Sequence, residues 1–160
     1  MTDWPQGYGL RRYEEIDSTN EEARRLIAAG ETGPVWLTAS RQTAGRGRRG
    51  RAWESAGGNL AATLLLRPVG PQAQWAELSF AAAIATADMA AALASGARIA
   101  LKWPNDVLAD SKKLAGILLE TGNGPKPALA IGIGVNLAHH PEGTEFPATS
   151  LAALGSKPPS

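Results

Sequence analysis

The chain has 160 residues, of which 44% are hydrophobic and 19% charged, and its formal net charge is +1. That length and apolar content fit one domain with a real core spanning 1–160, and near-neutrality argues against a nucleic-acid-coating or membrane-surface protein unless a local cluster carries the charge. With no cysteine and only the adjacent pair His139-His140, disulfides, thiolate metal sites and a cysteine nucleophile are excluded, and zinc hydrolysis or a histidine triad is disfavoured.

The N-terminus lacks a basic segment followed by an apolar run, and no stretch approaches 18 uninterrupted apolar residues. Neither a signal peptide nor a membrane span is therefore expected, and a cytoplasmic location is the default. Arg11–Ile16 reads as a first strand. Ser18 with Glu21, or Thr19 with Glu22, has capping-box spacing. A helix follows with Ala23, Leu26 and Ile27 on one face and Gly30 as its stop. Val35–Ser40 is a buried strand, and Arg41–Ala52 is a loop without periodicity. Leu60–Leu66 is a central strand that ends at Pro68. Gln74–Ser95 is the longest helix, with Leu78, Ala82, Ala85, Met89 and Leu93 as its buried stripe. Arg98–Trp103 alternates, with Ile99, Leu101 and Trp103 on one face, until Pro104 halts it. Lys113–Glu120 and Ala128–Val135 are two more strands, and Leu151–Leu154 is a short helix after a proline- and glycine-rich stretch. Several strands lie too close together for helical crossovers, so the fold class is α+β on a largely antiparallel sheet.

Five segments carry chemistry. In the first, Gly45-Arg46-Gly47-Arg48-Arg49-Gly50-Arg51, four arginines are interleaved with three glycines. Glycine lets backbone amides close around an anion, and guanidinium forks match phosphate or carboxylate oxygens in pairs. The spacing is not that of a Walker loop. Composition alone leaves phosphate binding, RNA binding and a neutral loop all open. Lys102-Trp103-Pro104-Asn105-Asp106 can set oxygens at a sheet end for Mg²⁺ or a ribose, or it can be a plain turn. Lys113, in Lys113-Leu114-Ala115-Gly116-Ile117-Leu118-Leu119-Glu120, can neutralise a developing charge or can protect a sheet edge. Gly132-Ile133-Gly134-Val135-Asn136 leaves a flat shelf for a ligand, or room for a packed helix. Ser18-Thr19-Asn20 caps a helix whose free amides also suit a polar ligand.

Together and in this order, these segments resemble the biotin protein ligase family. Gln42-Thr43-Ala44 before the arginine loop, Trp53 after it, and Asn59-Leu60 complete the match, which spans about residues 11–151. The resemblance implies a fold like that of class II aminoacyl-tRNA synthetase catalytic domains. It implies ATP-dependent formation of biotinyl-5′-AMP and transfer to a lysine of the biotin carboxyl carrier protein of acetyl-CoA carboxylase. By position, Ser18, Thr19, Asn20 and Gln42 would hold biotin, with Gly45 and Gly116 allowing close backbone approach. Arg46 and Lys113 would be the catalytic pair at the carboxyl and the α-phosphate. Arg48, Arg49, Arg51, Trp53, Asn105, Asp106 and Asn136 would complete the ATP and adenylate site, with Asp106 toward Mg²⁺. No DNA or membrane partner is expected, and a homodimer is compatible. The chain starts almost at the core and stops soon after Leu151. The expectation is therefore a short catalytic core without a helix-turn-helix or an SH3-like domain, binding biotin but ligating weakly. A lipoate- or octanoate-transferring relative and an RG-loop RNA-binding module are the competing readings.

Overall fold

In a computed structural model, residues 4–55 and 57–157 are described. Seven strands form one sheet in the order β1-β2-β3-β7-β6-β5-β4. β1 (Gly9–Ile16) and β2 (Val35–Gln42) run parallel, and every other neighbouring pair is antiparallel. The parallel pair needs a crossover, and α1 (Thr19–Ala28) supplies it. The α+β, largely antiparallel architecture agrees with the sequence.

The start of α1 is only half a capping box. Ser18 Oγ accepts the Glu21 N–H at 3.4 Å, but Glu21 turns its carboxylate to Arg24 and Arg46. Asp17 accepts the Ser18 N–H at 2.7 Å instead and pairs with Arg25 through two bonds of 2.8 Å. α1 stops at Gly30, where φ is +95° and where the Glu31 N–H reaches back to the Leu26 carbonyl.

Alternation along the central strands separates two faces. Ala128 and Ala130 of β7 (Ala128–Val135), Leu65 of β3 (Leu60–Leu66) and Leu37 of β2 pack with Ala23 and Ile27 of α1. Leu129 and Ile131 point the other way, onto Trp75 and Ala83 of the second helical segment. That segment begins as a 3₁₀ turn, Gln72–Glu77, and continues as α2 (Leu78–Leu93). Its innermost line is Ala83, Thr86 and Ala90 rather than the stripe expected from spacing. Leu78, Ala82, Met89 and Leu93 flank that line half-buried, and Ala85 is exposed. An alanine-rich helix is apolar all round, so periodicity could not place its inner face. Thr86 is tolerated inside because its hydroxyl donates to the Ala82 carbonyl at 2.8 Å. By length and composition alone Gln72–Leu93 could cross a membrane, but here its alanine line lies on the sheet.

β4 (Ile99–Lys102) and β5 (Asp106–Ala109) form a hairpin around Trp103-Pro104-Asn105. The sequence showed the first of these strands and took the segment after it for a turn or a ligand platform. Four residues are too few for period-2 alternation to register. Ile99 is half-buried, while Leu101 and Trp103 are exposed at the outer edge. β6 (Lys112–Gly122) lies between β5 and β7, so Lys113 is not on an edge strand.

Candidate active site

The cavity lies on the α1 side of the sheet and has a volume of about 640 Å³. Its floor comes from alternate positions of β6 and β7. Gly132 is obligatory there, because a Cβ would overlap the Asn20 side chain. Gly134 is obligatory as well, because a Cβ would run into the Trp53 indole; one on Gly116 would come within 3.1 Å of the same ring. The glycine shelf is thus partly taken up by Trp53, whose ring lies 5.5 Å from Lys113 Nζ.

At one end sits the amino end of α1. Gln42 Oε1 accepts the Thr19 amide at 2.8 Å and lies 3.1 Å from its hydroxyl. Thr63 Oγ1, fully buried, lies 2.8 Å from Thr19 Oγ1 and 2.7 Å from Asn20 Oδ1. Asn20 Nδ2 donates to Glu120 at 2.9 Å. The arginine loop covers the middle. It leaves a bridge between Arg46 and Ala52 and makes a 3₁₀ turn at Arg48–Gly50, with Arg49 at φ 57°. The Gly47 amide closes the turn onto the Arg51 carbonyl at 2.7 Å. Gly45 packs against the Trp53 carbonyl and the Gln42 amide, which leaves no space for a side chain.

Charge is distributed unevenly here. Arg46 pairs with Glu21 at 2.9 Å and with Glu120 at 3.3 Å. Among the described residues Arg48 reaches only Asn105 Oδ1, at 3.4 Å. Among the described residues Arg48, Arg49 and Arg51 form no ion pair, yet all three line the cavity. Lys113 Nζ lies 2.9 Å from Asp106 Oδ1, within ion-pair distance but off the line of a hydrogen bond. Cations outnumber carboxylates around an open cleft, a field that concentrates anions. Outside the cleft, hydrogen bonds from Arg25 hold the Asp17 carboxyl down to about 2, and the same pairing raises Arg25.

Every candidate residue taken from the sequence, apart from Gly45, lines this one cavity. Several also have structural employment beyond the bonds already described. Asn105 donates to the Ile117 carbonyl at 2.8 Å, pinning the β4–β5 hairpin to β6. Asn136 donates to the Thr149 carbonyl at 3.1 Å. Among the described residues no group of three histidine or acidic side chains could hold a metal ion.

The sequence reading missed a strap. Residues 141–148 cross the cavity mouth, contributing Pro141, Thr144, Glu145, Phe146 and Ala148 to its wall. Lys113 fastens the strap through its backbone, donating to Pro147 and accepting from Thr149. Lys102 Nζ sits 3.5 Å above the Phe146 ring. The only sequence signal was an aromatic residue inside a proline–glycine stretch. Thr63 and Glu120 escaped notice because each lies within an apolar strand that reads as core.

A sheet with a glycine floor, a helix amino end at one side and a cationic loop above it defines a class of protein: a domain with a cleft suited to a polar, anionic ligand. The chain belongs to the biotin/lipoate A/B protein ligase family, whose model matches residues 14–136. It is 56% identical over 130 residues to a biotin–[acetyl-CoA-carboxylase] ligase of Paracoccus denitrificans, covering 79% of this chain and 53% of that one. It is 39% identical over 161 residues to the ligase of the same description from Mycobacterium tuberculosis, covering 96% and 59% respectively. The chain therefore spans little more than half the length of these relatives. Among solved structures, biotin protein ligase from Leishmania major in complex with biotinyl-5-AMP superposes with a TM-score of 0.79 at 30% identity, covering 97% of this chain and 68% of that one. The Aquifex aeolicus enzyme in complex with biotin and ATP gives 0.79 at 32%, covering 95% and 63%.

Proposed function

We propose that this chain forms the adenylating site of a biotin protein ligase, activating biotin with ATP and passing it to a lysine of a biotin carboxyl carrier protein. The observation that carries the reading is the convergence on one cavity of a hydrogen-bonding end and a cationic end. At the first end, Ser18, Thr19, Asn20 and Gln42 offer the donors and acceptors that a cyclic urea requires. Gly116, without a side chain, lets the backbone lie close to the fused ring.

At the second end the biotin carboxylate attacks the α-phosphate of ATP. One P–O bond forms, the bond to the leaving pyrophosphate breaks, and a mixed anhydride results. Arg46 spans the carboxyl and the α-phosphate, and Lys113 neutralises the carboxyl oxygen as charge moves through it. Arg48, Arg49 and Arg51 take the remaining phosphate oxygens. Such chemistry is chiefly positioning and charge neutralisation; the sequence has no cysteine, and the serine that lies against a histidine, Ser150 at 3.1 Å from His140, is not among the residues lining the cavity. Asn136 and Trp53 flank the adenine. The acceptor lysine amine then attacks the anhydride carbonyl and AMP leaves with the electron pair. A Mg²⁺ arriving on nucleotide phosphates needs only one or two protein carboxylates. Asp106, with Asn105 beside it, fits that need although no dedicated metal cage gathers, and the ion would offset phosphate charge.

The test is thermal unfolding of the chain alone, with biotin, and with biotin plus MgATP. Stabilisation by biotin, and further stabilisation by MgATP, is expected. Stabilisation by lipoate with none by biotin would move the chain to the other branch of its family. A response to neither overturns the reading.

A further inference from the structure

We propose that Glu120 is a positioning residue that ties Arg46, at the reacting end, to the hydroxyls at the ring end, through Asn20 and the buried Thr63. This rests on the biotin-activating reading. The observation is a continuous polar chain along one wall of the cavity: Thr19, Thr63, Asn20, Glu120, Arg46.

Proton counting gives the chain a direction. An ionised Glu120 only accepts. The Asn20 amino group faces both Glu120, at 2.9 Å, and the Leu118 carbonyl, at 3.4 Å, so its carbonyl oxygen must face Thr63. That oxygen also only accepts, and the single Thr63 hydroxyl proton therefore goes to it, across 2.7 Å. The lone pairs of Thr63 are left for Thr19, 2.8 Å away. Gln42 Oε1 is a poorer alternative for the Thr19 proton, being 3.1 Å away and already accepting the Thr19 amide. The Thr19 hydroxyl thus points its proton inward and offers lone pairs to the cavity. It becomes an acceptor for a ligand N–H rather than a donor to a ligand carbonyl.

The same oxygen, Glu120 Oε2, also accepts from Arg46 at 3.3 Å, and Oε1 lies 3.4 Å from the same nitrogen. Glu120 is 23% exposed at its side chain and Arg46 37%, so the contact is partly shielded and can hold a geometry. Glutamine at position 120 would keep the shape but lose the charge that holds Arg46, and in either orientation its amino group would face Arg46, donor to donor. Glu120 therefore orients two groups that touch opposite ends of one substrate. Neither its sequence setting nor its distance from the Thr19 hydroxyl suggests this.

Calorimetric biotin titration of the intact chain tests the link, using wild type, Glu120→Gln, Thr63→Val, Thr63→Ser and the double variant Glu120→Gln/Thr63→Val. Each of Glu120→Gln and Thr63→Val is expected to weaken biotin about tenfold, the scale of one unsatisfied buried group. Thr63→Ser, which restores the hydroxyl, should return to within about twofold of wild type. Because the two lesions break one chain, the double variant should lose little more than the worse single. Equal affinities for wild type, Glu120→Gln and Thr63→Val overturn the proposal, as do losses that multiply to about a hundredfold in the double variant. A Thr63→Ser variant as weak as Thr63→Val also overturns it, because packing rather than proton direction would then be at work. If wild type itself shows no biotin heat, the functional reading falls and this proposal with it, which separates the two failures.

Discussion

The two faces of the sheet use the same strands for opposite purposes. On the α2 face, β7 presents Leu129 and Ile131 to Trp75 and Ala83, a dry contact with no cavity work to do. On the α1 face, the alternate residues Gly132 and Gly134 present no side chain at all, and their room is given to Asn20 and Trp53. One strand therefore holds the fold together with its odd-numbered positions and opens a site with two of its even-numbered ones. The contrast predicts that stability and ligand response can be separated by face.

The largest effect should come from the dry face. Leu129→Ala removes a side chain that is 2% exposed, and loss of such a buried group costs about 2–5 kcal/mol. Chemical denaturation should show that loss, while the remaining folded protein keeps its biotin-induced rise in melting temperature. A lost ligand response at unchanged stability would break the comparison. Next comes Gly134→Ala on the wet face. The added methyl must displace the Trp53 indole, overpacking worth about 1–3 kcal/mol. Here the biotin-induced shift should be lost along with it, since the moved ring enters the cavity. A retained shift would show that Trp53 relaxes away from the ligand.

Much of this division was legible in the sequence, but unequally. The glycine–arginine loop, the Lys-Trp-Pro-Asn-Asp segment and the paired glycines of β7 announced the wet face only when taken together and in order, because each alone also suits a plain loop, a turn or close packing. The order strand, capped helix, strand at the entry followed from the Ser18 cap and the Gly30 stop, but the parallel pairing of β1 with β2 did not. The inner line of α2 did not follow, because alanine on every side carries no periodic signal. β5 was too short to show alternation. The strap at 141–148 and the Thr63–Asn20–Glu120 chain depend on strands far apart in sequence, and no local pattern encodes such meetings. Asn59 stands between these cases: it was matched as part of a motif, but the geometry gives it a job. Its Oδ1 accepts the amides of Leu137, Ala138 and His139, each at 3.0 Å, where the chain leaves β7 toward the strap. Asn59→Ala should cost only about 1 kcal/mol, because water can reach part of this loop. It should weaken the extra stabilisation by MgATP more than that by biotin, since the strap touches the cations Lys102 and Lys113. Equal weakening of both would place the strap's influence elsewhere.

The smallest effect belongs to the entry of α1, outside both faces. Asp17 is held down to about 2, first by its hydrogen bonds from Arg25, against an ordinary value of 3.8. A carboxyl depressed in the folded state stabilises the fold above its unfolded value, and that contribution is lost as pH falls from about 4 toward 2. The side chain is 43% exposed, so solvent screening should keep the contribution below about 1 kcal/mol. Asp17→Asn should therefore lower stability slightly at pH 7 and hardly at all at pH 2, as measured by denaturant titration at the two values. Since Asp17 also accepts the Ser18 amide, an ion pair that mattered to the site would show a difference in biotin affinity between wild type and Asp17→Asn at pH 7. The comparison of faces predicts none, because the Ser18 hydroxyl keeps its own bond to the Glu21 amide whatever the state of Asp17.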